Sequence, residues 1–170
     1  MNYVATPSAR VDTKYQHVLC LYPYEADQRP GIGIWPPTGL EYIATAIKGR
    51  VGKISLVDLR HDRRLRRPAN MSKFVHSGVD LILTSVYWKA RYASICEYIR
   101  ALPAGVTIVA GGREASDNTE DLLAKCPNLH AVVRGEGEQT VQEIVDGRPW
   151  DHILGLSWRQ EGRVIHNPNR

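Results

Sequence analysis

The sequence predicts an α/β fold of three layers, α/β/α, built on a parallel sheet. Two observations lead there. Five short runs rich in Val, Ile and Leu, His17–Tyr22, Ile54–Leu59, Val79–Val86, Val106–Ala110 and Ala131–Arg134, read as strands buried on both faces. Segments of helical periodicity separate them, and such alternation implies parallel strands joined by right-handed crossovers. Five strands favour the flavodoxin-like (Rossmann-like) order 2-1-3-4-5. Ile153–Arg159 and Arg163–Asn167, flanking Gln160-Glu161-Gly162, add a C-terminal β-hairpin.

The helices follow in order. Pro36-Pro37 precede Thr38, and Glu41 three residues on completes a capping box. Leu40, Ile43, Ala44 and Ile47 then recur at helical spacing, and Gly49 suits the stop. A short helix is expected around Met71, Phe74 and Val75. Another carries Tyr92, Ile95, Ile99 and Leu102 on one face. A fourth starts near Asp117 and buries Leu122 and Leu123, and a fifth carries Val141, Ile144 and Val145.

Composition narrows the function classes. The 170 residues carry 22 basic and 18 acidic side chains, a formal charge of +4. Residues 60–67 alone hold five Arg and one Asp, so the rest of the chain is balanced. A basic loop is not the basic face that nucleic-acid binding needs. The longest uncharged stretch, Ala101–Gly112, is 12 residues, against the roughly 20 apolar residues of a membrane span. Cys20, Cys96 and Cys126 are odd in number and far apart in sequence, which fits a reducing cytoplasm and no disulfide framework or metal motif. Residues 1–16 are polar and read as a loose arm rather than a signal sequence.

In an open parallel sheet, ligands bind beyond the carboxyl ends of the strands, at the switch point between the first and third. The loops at those ends therefore hold the candidate site. The first, Pro23–Pro37, is 15 residues long, where such turns usually take 2–6. It carries Tyr24, Gly31, Gly33, Trp35 and Pro37, and Gly39 follows. The third strand ends in Ser85-Val86-Tyr87-Trp88, the fourth in Gly111-Gly112-Arg113, and the fifth in Gly135-Glu136-Gly137-Glu138. Glycines let a ligand approach the backbone, and Tyr and Trp offer flat apolar surfaces. Carboxylates in the last loop repel phosphate and suit N–H or O–H donors, while free glycine N–H groups there can still hold an oxygen. The mixture suits a large ligand, partly apolar and rich in hydrogen-bonding groups.

Other sites fit less well. Gly31-x-Gly33 with Asp58 suggests a dinucleotide fingerprint, but its third glycine position is Pro36 and the loop is too long. No Walker-type Gly-Lys-Ser/Thr occurs, and the third strand does not end in a phosphorylatable Asp. A nucleotide-binding enzyme domain and a docking domain without a ligand remain the alternatives.

The ordered motifs Pro36-Pro37-Thr38-Gly39-Leu40-Glu41-Tyr42, Asp80–Val86, Val109-Ala110-Gly111-Gly112-Arg113, Val132–Glu138 and Gly155–Arg159 with Gly162 resemble a known family. They are similar to the N-terminal cobalamin-binding domain of cobalamin-dependent radical S-adenosylmethionine enzymes, over about residues 17–167. The resemblance implies a corrinoid across the strand ends, with its nucleotide tail inserted near Ser85, Gly111 and Gly112. The implied cofactor-binding residues are Tyr24, Trp35, Pro37, Gly39, Ser85, Val86, Tyr87, Gly111, Gly112, Arg113, Gly135, Glu136, Gly137 and Glu138. Tyr24, Trp35 and Tyr87 are the candidates to cover an axial face. It also implies a methyltransferase-type system and a radical S-adenosylmethionine catalytic domain, in cis or in trans, as partner.

Two departures qualify this. Methionine-synthase-type domains supply a lower-axial His after the first strand, where this chain reads Tyr22-Pro23-Tyr24-Glu25-Ala26-Asp27. Base-off cobalamin without a protein His on cobalt is therefore expected. The Cys-x-x-x-Cys-x-x-Cys that holds an iron–sulfur cluster is not in this chain, so that cluster and S-adenosylmethionine belong to the partner, and this chain binds rather than catalyses. The expected organisation is an arm at 1–16, the cobalamin-binding domain at 17–150, and the hairpin with the start of a linker at 151–170.

Overall fold

A computed structural model describes residues 13–24 and 36–170. Its centre is a seven-stranded sheet in the order β2-β1-β3-β4-β5-β6-β7. The strands are β1 (His17–Tyr22), β2 (Lys53–Asp58), β3 (Leu81–Ser85), β4 (Thr107–Gly111), β5 (Ala131–Val133), β6 (Leu156–Gln160) and β7 (Arg163–His166). The first five run parallel in the order 2-1-3-4-5 that the sequence predicts. The hairpin extends this sheet: β6 pairs antiparallel with β5, and β7 with β6. Gln160 pairs with Arg163, so the turn is only Glu161-Gly162, both at positive φ, as a tight hairpin requires.

Strand alternation divides the interior into two cores. Val18 and Cys20, Leu81 and Leu83, Val109, Ala131 and Val133 face α1 (Thr38–Ala46) and α6 (Glu138–Val145). Leu19 and Leu21, Ile82, Ile108, Ala110 and Val132 face α2 (Pro68–His76), α3 (Tyr92–Arg100), α4 (Arg113–Asp117) and α5 (Thr119–Lys125). Period-2 side chains on a two-sided sheet require this division. Tyr15, within the segment read as a loose arm, is buried in the α1/α6 core, and the N–H of Gln16 donates to Asp80 at 2.7 Å. Among the described residues no helix is long and apolar enough to cross a membrane.

Two local expectations are corrected. The capping box does not form, because α1 already begins at Thr38 and Pro37 stands at the cap. The Leu40 and Glu41 N–H groups donate to the Pro37 carbonyl at 2.8 and 3.1 Å. The fourth helix is two short ones. Gly112 opens α4 four residues earlier than the sequence suggests, and Asn118, at φ −124°, breaks it from α5.

Gly112 has φ +105° and ψ 173°, a region open almost only to glycine, and an added Cβ would lie 2.9 Å from the Val86 carbonyl oxygen. Gly111 has neither constraint, since its nearest neighbour to such a Cβ is at 3.8 Å. Gly112→Ala is therefore expected to lower stability by about 1–3 kcal/mol, and Gly111→Ala to stay within about 0.5 kcal/mol of the parent, measured by urea unfolding.

Candidate functional site

The carboxyl ends of β1, β3, β4 and β5 open into a cleft of about 1070 Å³, roofed by the first turns of α1 and α6. Of the residues predicted to form the site, Tyr24, Pro37, Gly39, Ser85, Tyr87, Gly111, Gly112, Arg113, Gly135, Glu136, Gly137 and Glu138 all line it. Trp35 lies outside the described residues, as do Gly31 and Gly33. Val86 is the exception. It is fully buried in the α2/α3 core, its N–H donates to the Gly111 carbonyl at 2.8 Å, and its carbonyl accepts from Ala115 at 3.1 Å. Ser85 and Val86 are adjacent, so alternation sends one side chain to the cleft and the other away from it.

Two parts of the cleft differ in chemistry. Between α1, α6 and the sheet it is an apolar slot walled by Leu40, Ile43, Leu83, Val109, Val133 and Val141. Sequence reasoning read these as core, because an apolar residue at helix or strand spacing looks the same whether it meets protein or ligand. The other part is an aromatic lip. Tyr87 and Trp88 are 47% and 54% exposed and meet edge to face at 5.2 Å. Trp88 Nε1 donates to the Tyr22 hydroxyl at 3.3 Å, and the Tyr22 and Tyr24 rings are 4.5 Å apart.

Tyr24 is a brace rather than a cover. Its hydroxyl accepts the N–H of Tyr87 at 2.6 Å and of Trp88 at 3.2 Å, which ties the end of β1 to the loop after β3. Burial pushes its ionisation up to about 12. The loop after β5 is braced likewise. The Gly135 N–H donates to Ser116 Oγ at 3.1 Å, so it is not the free donor expected from the sequence. Arg134 reaches the Asn169 side chain at 2.7 Å and the Asn167 carbonyl, and Arg170 bonds Gln139 at 2.9 Å and Glu143 at 2.6 Å.

The basic run is less available than its charge suggests. Arg60 holds Asp58 through Nε at 3.0 Å and Nη2 at 2.6 Å, and lies 4.6 Å over the Tyr22 ring. This engagement of Asp58 weighs against its use as a ribose ligand. Arg66 turns back onto the Leu59 carbonyl at 2.6 Å, leaving Arg63, Arg64 and Arg67 exposed. Cys20, Cys96 and Cys126 are free and buried, with Cys20 in one core and the other two in the opposite one. Among the described residues no three His, Cys, Asp or Glu side chains are grouped to hold a metal ion.

Three features test whether a large cofactor fits. A Cβ on Gly39 would meet nothing within 4 Å, and one on Gly111 only Val133 at 3.8 Å, so these glycines leave space that the protein does not fill. Thr84 lines the cleft, and its buried Oγ1 has no hydrogen-bond partner among the described residues. The slot is apolar while the rim carries Arg113, Glu136 and Glu138, as an amphipathic ligand needs.

Comparison with known proteins decides the family. Residues 32–145 match the model of the B12 binding domain. The chain belongs to the B12-binding domain family. It is 31% identical over 160 residues to the uncharacterized methyltransferase PH0819 of Pyrococcus horikoshii, covering 90% of this chain and 34% of that one. Two solved structures of TsrM, a radical S-adenosylmethionine methyltransferase of Kitasatospora setae, share its fold. One holds tryptophan substrate and an S-adenosylmethionine analogue, with a TM-score of 0.71, 20% identity and coverage of 90% of this chain and 30% of that one. The other holds cobalamin and a [4Fe-4S] cluster, with a TM-score of 0.71, 21% identity and coverage of 91% and 29%. This B12-binding domain thus spans about a third of the length of these relatives.

The Tyr24 brace predicts an alkaline sensitivity. Its folded ionisation lies above the ordinary 10.0, so its contribution to stability is complete below pH 10 and is lost as pH rises toward 12. Tyr24→Phe leaves two N–H groups without their acceptor and is expected to cost about 1–2 kcal/mol at pH 8. The difference between parent and variant, read from urea midpoints, should shrink between pH 10 and 12.

Proposed function

We propose that this B12-binding domain holds base-off cobalamin, with no protein His on cobalt, for a radical S-adenosylmethionine catalytic domain supplied in cis or in trans. The observation that carries the reading is the cleft itself, with an apolar slot beside two glycines whose Cβ positions are open. The His-free expectation is supported by the whole histidine set. His17, His61, His76, His130, His152 and His166 are all described, and none lines the cleft. The methyltransferase setting rests on the names of the relatives and on the third of their length that this chain spans.

In this reading the nucleotide tail enters the slot between α1 and α6, past Gly39, Ser85 and Gly111. Pro37, Gly112, Arg113, Gly135, Glu136, Gly137 and Glu138 edge the corrin amides, with the carboxylates accepting amide N–H groups. Tyr87 lies on the aromatic lip, where its ring can cover a corrin face, and Tyr24 holds that lip in place. Bound cobalamin supplies a cobalt that can carry a methyl group. The chain's own residues bind and orient the cofactor and exclude water from its tail. Residues 17–150 form the cofactor-binding unit, and 151–170 add the hairpin and lead toward the partner. Its three buried thiols suit the reducing cytoplasm.

Gly111→Leu tests the placement. Filling open space at the slot entrance is expected to weaken hydroxocobalamin retention on gel filtration at least tenfold, with the urea midpoint little changed. Gly137 is a poorer probe, because a Cβ there would press on Ile43 at 3.1 Å and Val133 at 3.3 Å within the protein. Equal retention by Gly111→Leu and the parent contradicts the placement.

A further inference from the structure

The inner slot is distinct from the rim because the side chains that wall it between α1, α6 and the sheet are apolar. Its walls are Leu40, Ile43, Leu83, Val109, Val133 and Val141. Thr84, whose hydroxyl has no partner among the described residues, alternates with Leu83 and belongs to the other face of β3. The remaining polar groups nearby are at the mouth or engaged elsewhere. Ser85 sits at the mouth end of β3, half-buried. The Thr140 hydroxyl donates to the Leu154 carbonyl at 3.0 Å. The Gln142 amide donates across to the Ala46 carbonyl at 2.8 Å, tying α6 to α1, and does not line the slot.

Resting on the cobalamin reading, we propose that this slot selects among cobamides by the chemistry of the lower base. It accepts an apolar base, such as dimethylbenzimidazole or a phenol, and discriminates against adenine. The ring amides, ribose and phosphate are common to all cobamides, so contacts on the rim do not distinguish them. Only the slot meets the part that differs. Dimethylbenzimidazole brings two methyl groups to Leu and Val side chains, a gain that follows buried apolar area. Adenine brings an exocyclic amine and further ring nitrogens, which exchange water for a wall that offers no acceptor or donor. A buried polar group left unpaired loses its full hydration, which corresponds to about ten- to a hundredfold in affinity.

The slot residues thereby become specificity determinants with a defined chemical change. Val109→Thr keeps the side-chain volume nearly constant and places a hydroxyl on the sheet wall. Val141→Thr does the same from α6. Either gives the amine a partner and removes apolar contact from the methyl groups.

The test uses the full chain and three cobamides that differ at the lower base: cobalamin, cresolylcobamide and adeninylcobamide. Dissociation constants are read from visible-absorption titration and checked by retention on gel filtration. Cobalamin and cresolylcobamide are expected to bind about ten- to a hundredfold more tightly than adeninylcobamide. Val109→Thr or Val141→Thr should narrow the cobalamin-to-adeninylcobamide ratio at least threefold. That ratio is insensitive to a general loss of folded protein. Equal binding of all three by the parent overturns the selectivity while leaving the cobalamin reading intact. An unchanged ratio in both variants, each shown to be folded by circular dichroism, overturns the role of the slot. Failure to retain any of the three overturns the cofactor reading and this inference with it.

Discussion

The cleft depends on one close backbone approach, where the end of β3 meets the end of β4. Gly112 passes Val86 so tightly that a Cβ would sit 2.9 Å from its carbonyl oxygen. On either side of that contact Val86 donates to Gly111 and accepts from Ala115, the third residue of α4. Ser116 on that helix donates its hydroxyl to Gly112 at 3.1 Å and accepts the Gly135 N–H at 3.1 Å, so the loop after β5 joins the chain of contacts. Tyr24 adds the end of β1 through the Tyr87 and Trp88 amides. Four strand ends that share no sequence neighbourhood are thus fixed relative to one another by backbone hydrogen bonds and two side-chain hydroxyls. A large cofactor needs such a floor, since each of its contacts is weak and only a rigid arrangement lets them act together.

The two adjacent glycines show how little of this a sequence can separate. Gly111 and Gly112 look equivalent in the chain. In space Gly112 serves the fold, through its φ and its approach to Val86, and Gly111 leaves room outside the protein. Gly39 belongs with Gly111, while Gly137 is pressed against Ile43 and Val133. The division depends on which atoms face each missing Cβ, and local spacing holds no record of that. The same limit applies to Val86, whose parity on β3 is set by the ladder, and to Leu40, Ile43 and Val141, which read as core and line the slot.

Much else was legible for physical reasons. Strands buried on both faces carry continuous Val, Ile and Leu, so β1 and the parallel order of the sheet followed from pattern and connection rules. The attachment of the hairpin to β5 was not legible, because Leu156 and Trp158 could have packed on any exposed face. The break between α4 and α5 was missed because Arg113–Asp117 has a single fully buried apolar side chain, Ala115, and no periodicity to detect. Most of the residues that the family motifs implied line one cleft at the strand ends. What they could not convey is the brace: Tyr24 pointing into a loop, and Arg60 spending its charge on Asp58.

The central claim is a cobalt centre held without a nitrogen ligand from the protein or from its own base. Electron paramagnetic resonance of cob(II)alamin bound to this chain addresses it directly. Free cob(II)alamin at neutral pH has its base on cobalt, and the nitrogen splits the cobalt lines into triplets. The account predicts that these triplets collapse to single lines when the protein is added in excess. Triplets that persist in the protein-bound fraction would mean a nitrogen on cobalt, and would contradict a His-free cleft that draws the base away into its slot.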